Sequence, residues 1–331
     1  MAEYISFQPS DYYSTKLYTG NQPADNAITG VGFSPNFVWV KNRDATKDHT
    51  LFNTVQGVGK SLYANTNGGE VSDAAGMKSF DADGFTVGDW SQPNTNGDDY
   101  VSWNWKESTT SKCDIVQYSG TGSAQTIAHN LGVKPDLIII KRTDTTSNWI
   151  VYHQSLGATK FMYLNTNAAQ DTNSGVFNNT EPTSSVFTVN TWNDVNNSSG
   201  TYIAYVFAGM KGYSKFGSYT GAGSTDGTFI YTGFRPAYFL IKANYSGEPW
   251  LVWNNKTEGF NAAAAASTGN HRLTTSSTAA ESDSSDIDIC SNGIKIRSAD
   301  GHVGAATYEY IYAAFAEFPI VSSNDVPGVA R

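Results

Sequence analysis

The sequence predicts an all-β fold of three tandem antiparallel β-sandwich repeats, each about 100 residues long and jelly-roll or immunoglobulin-like. One reason is an internal repeat of that period. A second is a series of short β-branched and aromatic runs, which Asp-Gly and Asn-Gly turn dipeptides separate. A third is the near absence of amphipathic helical spacing along the 331 residues.

Three short landmarks define the repeat, and each recurs after 100 and then 101 residues. They are a triplet of tyrosine, threonine or serine, and glycine, a proline before the first apolar run, and a lysine at the end of that run. Solenoid units have only ~20–50 residues, so the period is that of a small independent domain. The landmarks are Tyr18-Thr19-Gly20, Tyr118-Ser119-Gly120 and Tyr219-Thr220-Gly221; Pro35, Pro135 and Pro236; and Lys41, Lys141 and Lys242.

The landmarks divide the chain into five segments. We expect an N-terminal arm over residues 1–12, repeats over 13–108, 109–210 and 211–318, and a C-terminal tail over 319–331. The repeats are called copy one, copy two and copy three below. Each end segment is either a loose terminus or an arm that adds a strand to a neighbouring subunit.

Strand patterns are of two kinds. Residues 37–40, 137–140 and 238–241 are unbroken apolar runs, which indicate strands covered on both faces. The last strand of each copy alternates instead, as residues 202–207 show. With the turn signals between them, these runs predict six or seven strands per copy.

Composition excludes several classes of protein. No stretch approaches the ~20 apolar residues of a membrane-spanning helix, and the N-terminus lacks the basic and apolar regions of a signal peptide. A net charge of −9 without a basic cluster argues against binding to nucleic acid. Cys113 and Cys290 cannot form a disulfide framework and are expected to be small buried residues.

No catalytic constellation is evident, so we expect no enzyme activity, no cofactor and no metal ion. The stretch Gly57-Val58-Gly59-Lys60-Ser61 lacks the earlier glycine of a phosphate-binding loop. The five histidines lack the spacing of a zinc helix. Four carboxylates between residues 281 and 288 leave two alternatives open, a solvated loop or a calcium site. They are Glu281, Asp283, Asp286 and Asp288.

Aromatic residues are the remaining candidates for ligand binding. The chain has 17 Phe, 19 Tyr and 8 Trp, about twice its 21 Lys and Arg. Tryptophans at or beside strand ends offer flat faces to sugar rings, with Asn and Asp nearby for the hydroxyl groups. The alternative is a core or interface position, because Phe52, Tyr152 and Trp253 are repeat equivalents. The candidate ligand-binding residues are Trp90, Trp149, Trp192, Trp250 and Trp253.

Several segments resemble a repeat found in virion proteins of tailed bacteriophages, especially marine ones. They are FQPSDYYSTKLYTGN, GFSPNFVWVKNR, SFDADGFTVG and IAHNLGVKPDLIIIKRTD with NWIVYH. The resemblance covers residues 5–210 well and is weaker in copy three. Such proteins are tail-fibre-like or structural, and their pattern has no catalytic residues. It implies a role on a phage particle.

We therefore expect a non-enzymatic virion structural protein, made in the host cytoplasm, that forms a tail or fibre component contacting the host cell. The alternatives are a head decoration (cement) protein and a polysaccharide-binding or depolymerising protein. Expected partners are other virion proteins and further copies of the chain. Sheet edges with few lysines are open to pairing with strands of another chain. A host surface glycan is the alternative partner, and neither nucleic-acid binding nor membrane insertion is expected.

Overall fold

The prediction of an all-β protein is confirmed. The computed structural model describes residues 8–257 and 270–318. Strands make up 42% of the chain and helices 5%, and the sheets are antiparallel. The predicted arm over residues 1–12 lies mostly, and the predicted tail over 319–331 wholly, outside the described residues. None of the helices in the described ranges is long and apolar enough to cross a membrane.

Copy one forms a six-stranded sheet of order β1-β9-β3-β4-β5-β6 and a three-stranded sheet of order β2-β8-β7. A 3₁₀ turn (Pro9–Asp11) precedes the first strand, and helix α1 (Ser91–Asn94) precedes the last. The strands are β1 (Tyr13–Thr19), β2 (Asn26–Thr29), β3 (Phe37–Asn42), β4 (Thr50–Asn53), β5 (Lys60–Tyr63), β6 (Val71–Ser72), β7 (Met77–Asp81), β8 (Gly84–Val87) and β9 (Asp99–Trp105).

Copy two has the same large sheet, of order β10-β17-β12-β13-β14-β15, and a two-stranded sheet β11-β16. Helix α2 (Ser174–Phe177) packs beside β16, and helix α3 (Asn193–Asn196) packs on β12. The strands are β10 (Cys113–Ser119), β11 (Gln125–Ala128), β12 (Leu137–Arg142), β13 (Ile150–His153), β14 (Lys160–Tyr163), β15 (Asp171–Thr172), β16 (Val186–Val189) and β17 (Thr201–Phe207).

Copy three repeats the large sheet again, in the order β18-β26-β20-β21-β22-β23, with a three-stranded sheet β19-β25-β24. The strands are β18 (Ser214–Thr220), β19 (Phe229–Tyr231), β20 (Tyr238–Ala243), β21 (Leu251–Asn254), β22 (Asn270–Thr274), β23 (Ser282–Ser284), β24 (Ile287–Cys290), β25 (Gly293–Ile296) and β26 (Glu309–Phe315).

Each large sheet is buried on both faces. In β3, Val38 and Val40 join an apolar core with Phe85 of the small sheet. Phe37 and Trp39 point the other way, into a second core that all three copies share. Because neighbouring residues of a strand face opposite sides, the unbroken apolar run of β3 supplies both cores, as the sequence pattern indicates.

The shared core brings equivalent residues of the three copies together. Trp105, Phe207 and Phe315 each end the last strand of their copy and pair with the first. Their ring centroids lie 6.2 Å (Trp105–Phe207), 5.6 Å (Trp105–Phe315) and 5.6 Å (Phe207–Phe315) apart. Edge and tilted contacts at this spacing are favourable beyond area burial alone. The three large sheets therefore meet around one aromatic centre.

The tyrosine of the repeated triplet has a structural role in every copy. Tyr18 stacks on Tyr100 with centroids 5.0 Å apart, and its hydroxyl donates to the carbonyl of Pro93 at 2.7 Å. The equivalent stacks are Tyr118 on Tyr202 and Tyr219 on Tyr310. The following glycine has no room for a side chain, because a Cβ on Gly20 would collide with the carbonyl of Thr95. These landmarks recur because each copy needs the same packing.

Candidate functional sites

Three equivalent seams hold the copies to one another. The ring nitrogen Nε1 of Trp149 in copy two donates to the carbonyl of Tyr63 in copy one at 2.9 Å. Trp250 in copy three donates to Tyr163 in copy two at 2.8 Å. Trp149 and Trp250 directly precede strands β13 and β21, and Tyr63 and Tyr163 end strands β5 and β14. Both contacts use the same pair of repeat positions.

The third seam closes the ring with a different residue. His49 takes the repeat position of the two tryptophans, and its Nε2 lies 3.1 Å from the carbonyl of Thr274 in copy three. Backbone bonds also repeat at the seams. Their pairs are Glu70 N to Thr143 O at 2.7 Å, Gln170 N to Asn244 O at 3.2 Å, and Glu281 N to Arg43 O at 2.8 Å.

His49 is fixed in one tautomer by its two partners. Nε1 of Trp39 can only donate, and it lies 3.0 Å from Nδ1 of His49, so Nδ1 accepts. Nε2 therefore carries the hydrogen and donates to Thr274. Burial lowers the pKa of His49 well below 6.5, and the charge of Lys41 lowers it further. The histidine of this seam is neutral and already uses both ring nitrogens.

The repeated lysines are buried next to the seams. Lys41, Lys141 and Lys242 are all 0% exposed, and burial lowers the pKa of each to about 8. Nζ of Lys141 donates to Ser147 at 2.6 Å and, across the seam, to the carbonyl of Asn67 at 3.2 Å. Nζ of Lys41 donates across its own seam to Thr278 at 3.2 Å. The three ammonium groups bind backbone carbonyls.

The seam between copy three and copy one also has an ion pair. The guanidinium of Arg43 donates to Oε2 of Glu281 from Nε at 2.9 Å and from Nη2 at 2.7 Å. Glu281 is largely buried there, with 8% of its side chain exposed. A charge-assisted contact of this kind is worth more than an exposed pair, so Glu281 stabilises the ring closure.

The five candidate tryptophans fall into two groups. Trp149, Trp250 and Trp253 are buried and present no ring face to solvent. Trp149 and Trp250 belong to the seams, and Trp253 lies in the core of copy three. Trp90 is half-buried against Phe52 and Tyr63, whereas Trp192 is 37% exposed. A ligand platform at the tryptophans therefore stays a prediction for Trp90 and Trp192 alone.

The four carboxylates of residues 281–288 each have a basic neighbour. Glu281 binds Arg43, as described, and Asp283 lies 3.0 Å from Nδ1 of His271. Asp288 binds Nε of Arg297 at 2.5 Å, and Asp286 binds Nη1 of Arg272 at 2.5 Å. Because Glu281, Asp286 and Asp288 each already bind a guanidinium group, the arrangement favours a charge network over a calcium site.

One group in copy three has metal-ligating residue types close together. Ligand atoms of Asp286, Asp300 and His302 lie within 4.8 Å of one another. Nη1 of Arg272 lies 2.5 Å from Asp286 and 2.7 Å from Nε2 of His302, however. A guanidinium at that position supplies the positive charge that a metal ion would supply.

A pocket of ≈ 320 Å³ lies where copy two meets copy three. Asp136 and Gln154 form one wall, and Lys211, Lys215 and Thr232 form the other. Oδ2 of Asp136 accepts from the backbone of Gly209 at 2.6 Å, and burial raises the pKa of this carboxyl group. The pocket thus combines two lysines with a carboxylate whose hydrogen bond is internal.

Fold and seams together define an all-β protein in which three like segments close around one aromatic core. A family model for a domain of unknown function, DUF7483, matches residues 8–319. The chain therefore belongs to the DUF7483 family. No curated protein matches it.

Proposed function

We propose that the chain is a non-enzymatic structural protein of a tailed-phage virion, forming a tail or fibre component that contacts the host cell. The observation that carries the proposal is the closed ring of seams around one aromatic core. A virion protein must keep its shape outside the cell, and here each large sheet is covered on both faces. The described cysteines, Cys113 and Cys290, are both free, so packing and hydrogen bonds supply the cohesion.

We also propose that each copy is a β-sandwich within this body. Ile127 and Phe187 of the small sheet in copy two share a core with Ile138 and Ile140 of the large sheet. In copies one and three, apolar residues of the small sheet also share a core with apolar residues of the large sheet. Two sheets that face each other across one apolar layer are the defining feature of a sandwich.

Edge strands of the large sheets, as formed by the described residues, support assembly into a homo-oligomer. The seven-residue strands β1, β10 and β18 each lie at an edge of a large sheet. An edge strand has unpaired backbone groups on one side and accepts a strand from another chain. Light scattering behind size-exclusion chromatography measures the expected mass, and a monomer at micromolar concentration would refute this part of the proposal.

Immunogold electron microscopy of purified particles tests the location. Antibody to this chain is expected to place a few gold particles at the tail, and antibody pre-absorbed with the protein is the matched control. Even labelling over the head would favour the alternative of a decoration protein. Intact particles without label, beside a labelled known virion protein, would refute the virion proposal. A polysaccharide-directed protein would then be the better alternative.

A further inference from the structure

The small sheet of copy three has an aromatic outer face. In β19, Ile230 points into the core, while Phe229 and Tyr231 on either side of it are 44% and 59% exposed. In register, Phe229 faces Lys295 of β25 and Tyr231 faces Gly293. A Cβ on Gly293 would lie 2.9 Å from Cζ of Phe229, so the Phe229 ring lies over this glycine. Both rings are therefore exposed on the same face of the small sheet, next to a glycine that has no side chain.

The other copies lack this surface at the same positions. Phe229 and Tyr231 correspond to Ala27 and Thr29 of copy one, which pair with β8 in the same register and are exposed. Copy two has small residues there as well. Packing thus does not require aromatic rings at these positions, and their exposure in copy three needs another explanation. The copy-two equivalents are Thr126 and Ala128, and Lys295 corresponds to Thr86 and Thr188.

Basic groups surround the rings. Nζ of Lys215 lies 5.3 Å from the centroid of the Tyr231 ring and donates to the Tyr231 carbonyl at 2.6 Å. Among the residues that the structure describes, Lys215 has no carboxylate partner. Its equivalents are Ser14 and Asp114. Lys295 is paired with Asp226 at 2.7 Å. Among the described residues, Lys215 is thus a cation of this face without an ion pair, although the carboxylate of Asp136 lines the same pocket.

The aromatic face adjoins the pocket between copies two and three. Lys215 and Thr232 line that pocket, and Thr232 directly follows Tyr231. Lys211 lies on the same wall. A chain molecule lying across the two rings would thus reach a cavity of ≈ 320 Å³ that Lys215 lines.

We propose that this face binds an acidic polysaccharide. The apolar side of a pyranose ring stacks on Phe229 and Tyr231, and a sugar carboxylate pairs with Lys215 at the pocket. A nucleic acid also stacks on aromatic rings, but its charge on every nucleotide opposes a protein of net charge −9. Widely spaced carboxylates suit a face with few free cations. The inference rests on the proposed function for its setting, because it names the ligand class that a host-contacting component would meet.

Native affinity electrophoresis tests the proposal with purified protein. The gels contain hyaluronan, xanthan, uncharged dextran or no polymer, and a thymidine oligonucleotide is tested by gel shift. The test variants introduce copy-one residues, as Phe229→Ala with Tyr231→Thr and, separately, Lys215→Ser. The matched control is Phe318→Ala, since Phe318 is 59% exposed and has Lys256 Nζ 5.6 Å from its ring centroid.

Hyaluronan or xanthan is expected to slow the wild type and the Phe318 variant equally. The double variant should lose at least tenfold in affinity, and Lys215→Ser should weaken binding and reduce its dependence on salt. Equal retardation of all variants, no retardation by either acidic polymer, or binding of the oligonucleotide alone would overturn the proposal. Near-ultraviolet circular dichroism checks that each variant is folded. No particle is used, so this test and the immunogold test fail separately.

Discussion

Acid should destabilise the folded chain through His49, which lies at the seam between copy three and copy one. The side chain is buried and neutral, and its Nδ1 accepts from Trp39. A proton on Nδ1 would turn two donors toward each other and break that bond. Since burial holds the pKa of His49 well below 6.5 in the folded chain, the unfolded chain takes up a proton first as the pH falls. Stability is therefore full above pH 6.5 and is lost below it.

The size of this loss follows from linkage. Each pH unit between the unfolded and folded pKa values costs about 1.4 kcal/mol. Between pH 6.5, the unfolded value, and pH 5, His49 alone costs about 2 kcal/mol. The substitution His49→Gln keeps one acceptor and one donor but cannot be protonated. We expect the variant to resemble the wild type at pH 7.5 and to be less sensitive to acid by about 2 kcal/mol.

Urea denaturation at pH 7.5 and pH 5, followed by tryptophan fluorescence, measures both values. The comparison is between two proteins, each by its loss of unfolding free energy from pH 7.5 to pH 5. The titration of groups that both proteins share, such as His129 and His153, therefore cancels. Burial lowers the pKa of His153 to about 4, so His153→Asn, which introduces the residue at the equivalent positions 53 and 254, should reduce acid sensitivity by a similar amount at a site away from this seam. An equal acid-induced loss in wild type and His49→Gln would refute the reasoning, because His49 would then titrate alike in both states.

Three further predictions concern the cores and the charged groups. Trp105→Ala leaves a cavity in the aromatic centre and should lower the free energy of unfolding in denaturant by about 3–5 kcal/mol. Trp192→Ala at the surface should lower it by less than about 0.5 kcal/mol. Similar values for both variants would contradict the shared core. Lys141→Met removes two hydrogen bonds to backbone carbonyls, those of Ser147 and Asn67, and should cost about 2–4 kcal/mol. An unchanged unfolding midpoint would count against a structural role. Burial and the neighbouring Asp114 raise the pKa of Glu107 to about 7. The folded chain therefore holds this proton more tightly than the unfolded chain does. The free energy of unfolding then falls as the pH rises from 4.5 through 7. Glu107→Gln should abolish that fall, as measured by denaturation curves at several pH values. A variant with the wild-type slope would exclude Glu107 as its source.

The sequence predicted the repeat, the main apolar strands and the double burial of the first apolar run, because these follow from local periodicity. Its six or seven strands per copy were too few, because the described residues form nine, eight and nine strands, some only two or three residues long. It did not predict that Phe37 and Trp39 meet the equivalent strands of the other copies. That contact depends on how segments about 100 residues apart pack, which no local pattern encodes. A signal for the seams was nevertheless present, since His49, Trp149 and Trp250 are separated by 100 and 101 residues.

The candidate tryptophans illustrate the same limit. The sequence predicts Trp149 and Trp250 as ligand platforms beside strand ends, yet the structure uses them to join copies. The outer face of copy three has no such local signal, because the pattern around Phe229 and Tyr231 is that of an ordinary strand. Comparison of the copies with one another would have found it, since two aromatic residues replace alanine and threonine at exposed positions. In a repeat protein, a departure from the repeat is the more informative signal for function.

The closed ring of seams has a consequence for how such a body can evolve and be displayed. Three separate chains meeting around one aromatic centre would need a sufficient concentration to associate, and they would be identical. Linked in one chain, the three segments find each other at a fixed effective concentration, independent of protein supply. Each segment is also free to change alone. One copy can therefore carry surface residues that the other two copies lack, and the molecule then has one side with its own binding chemistry.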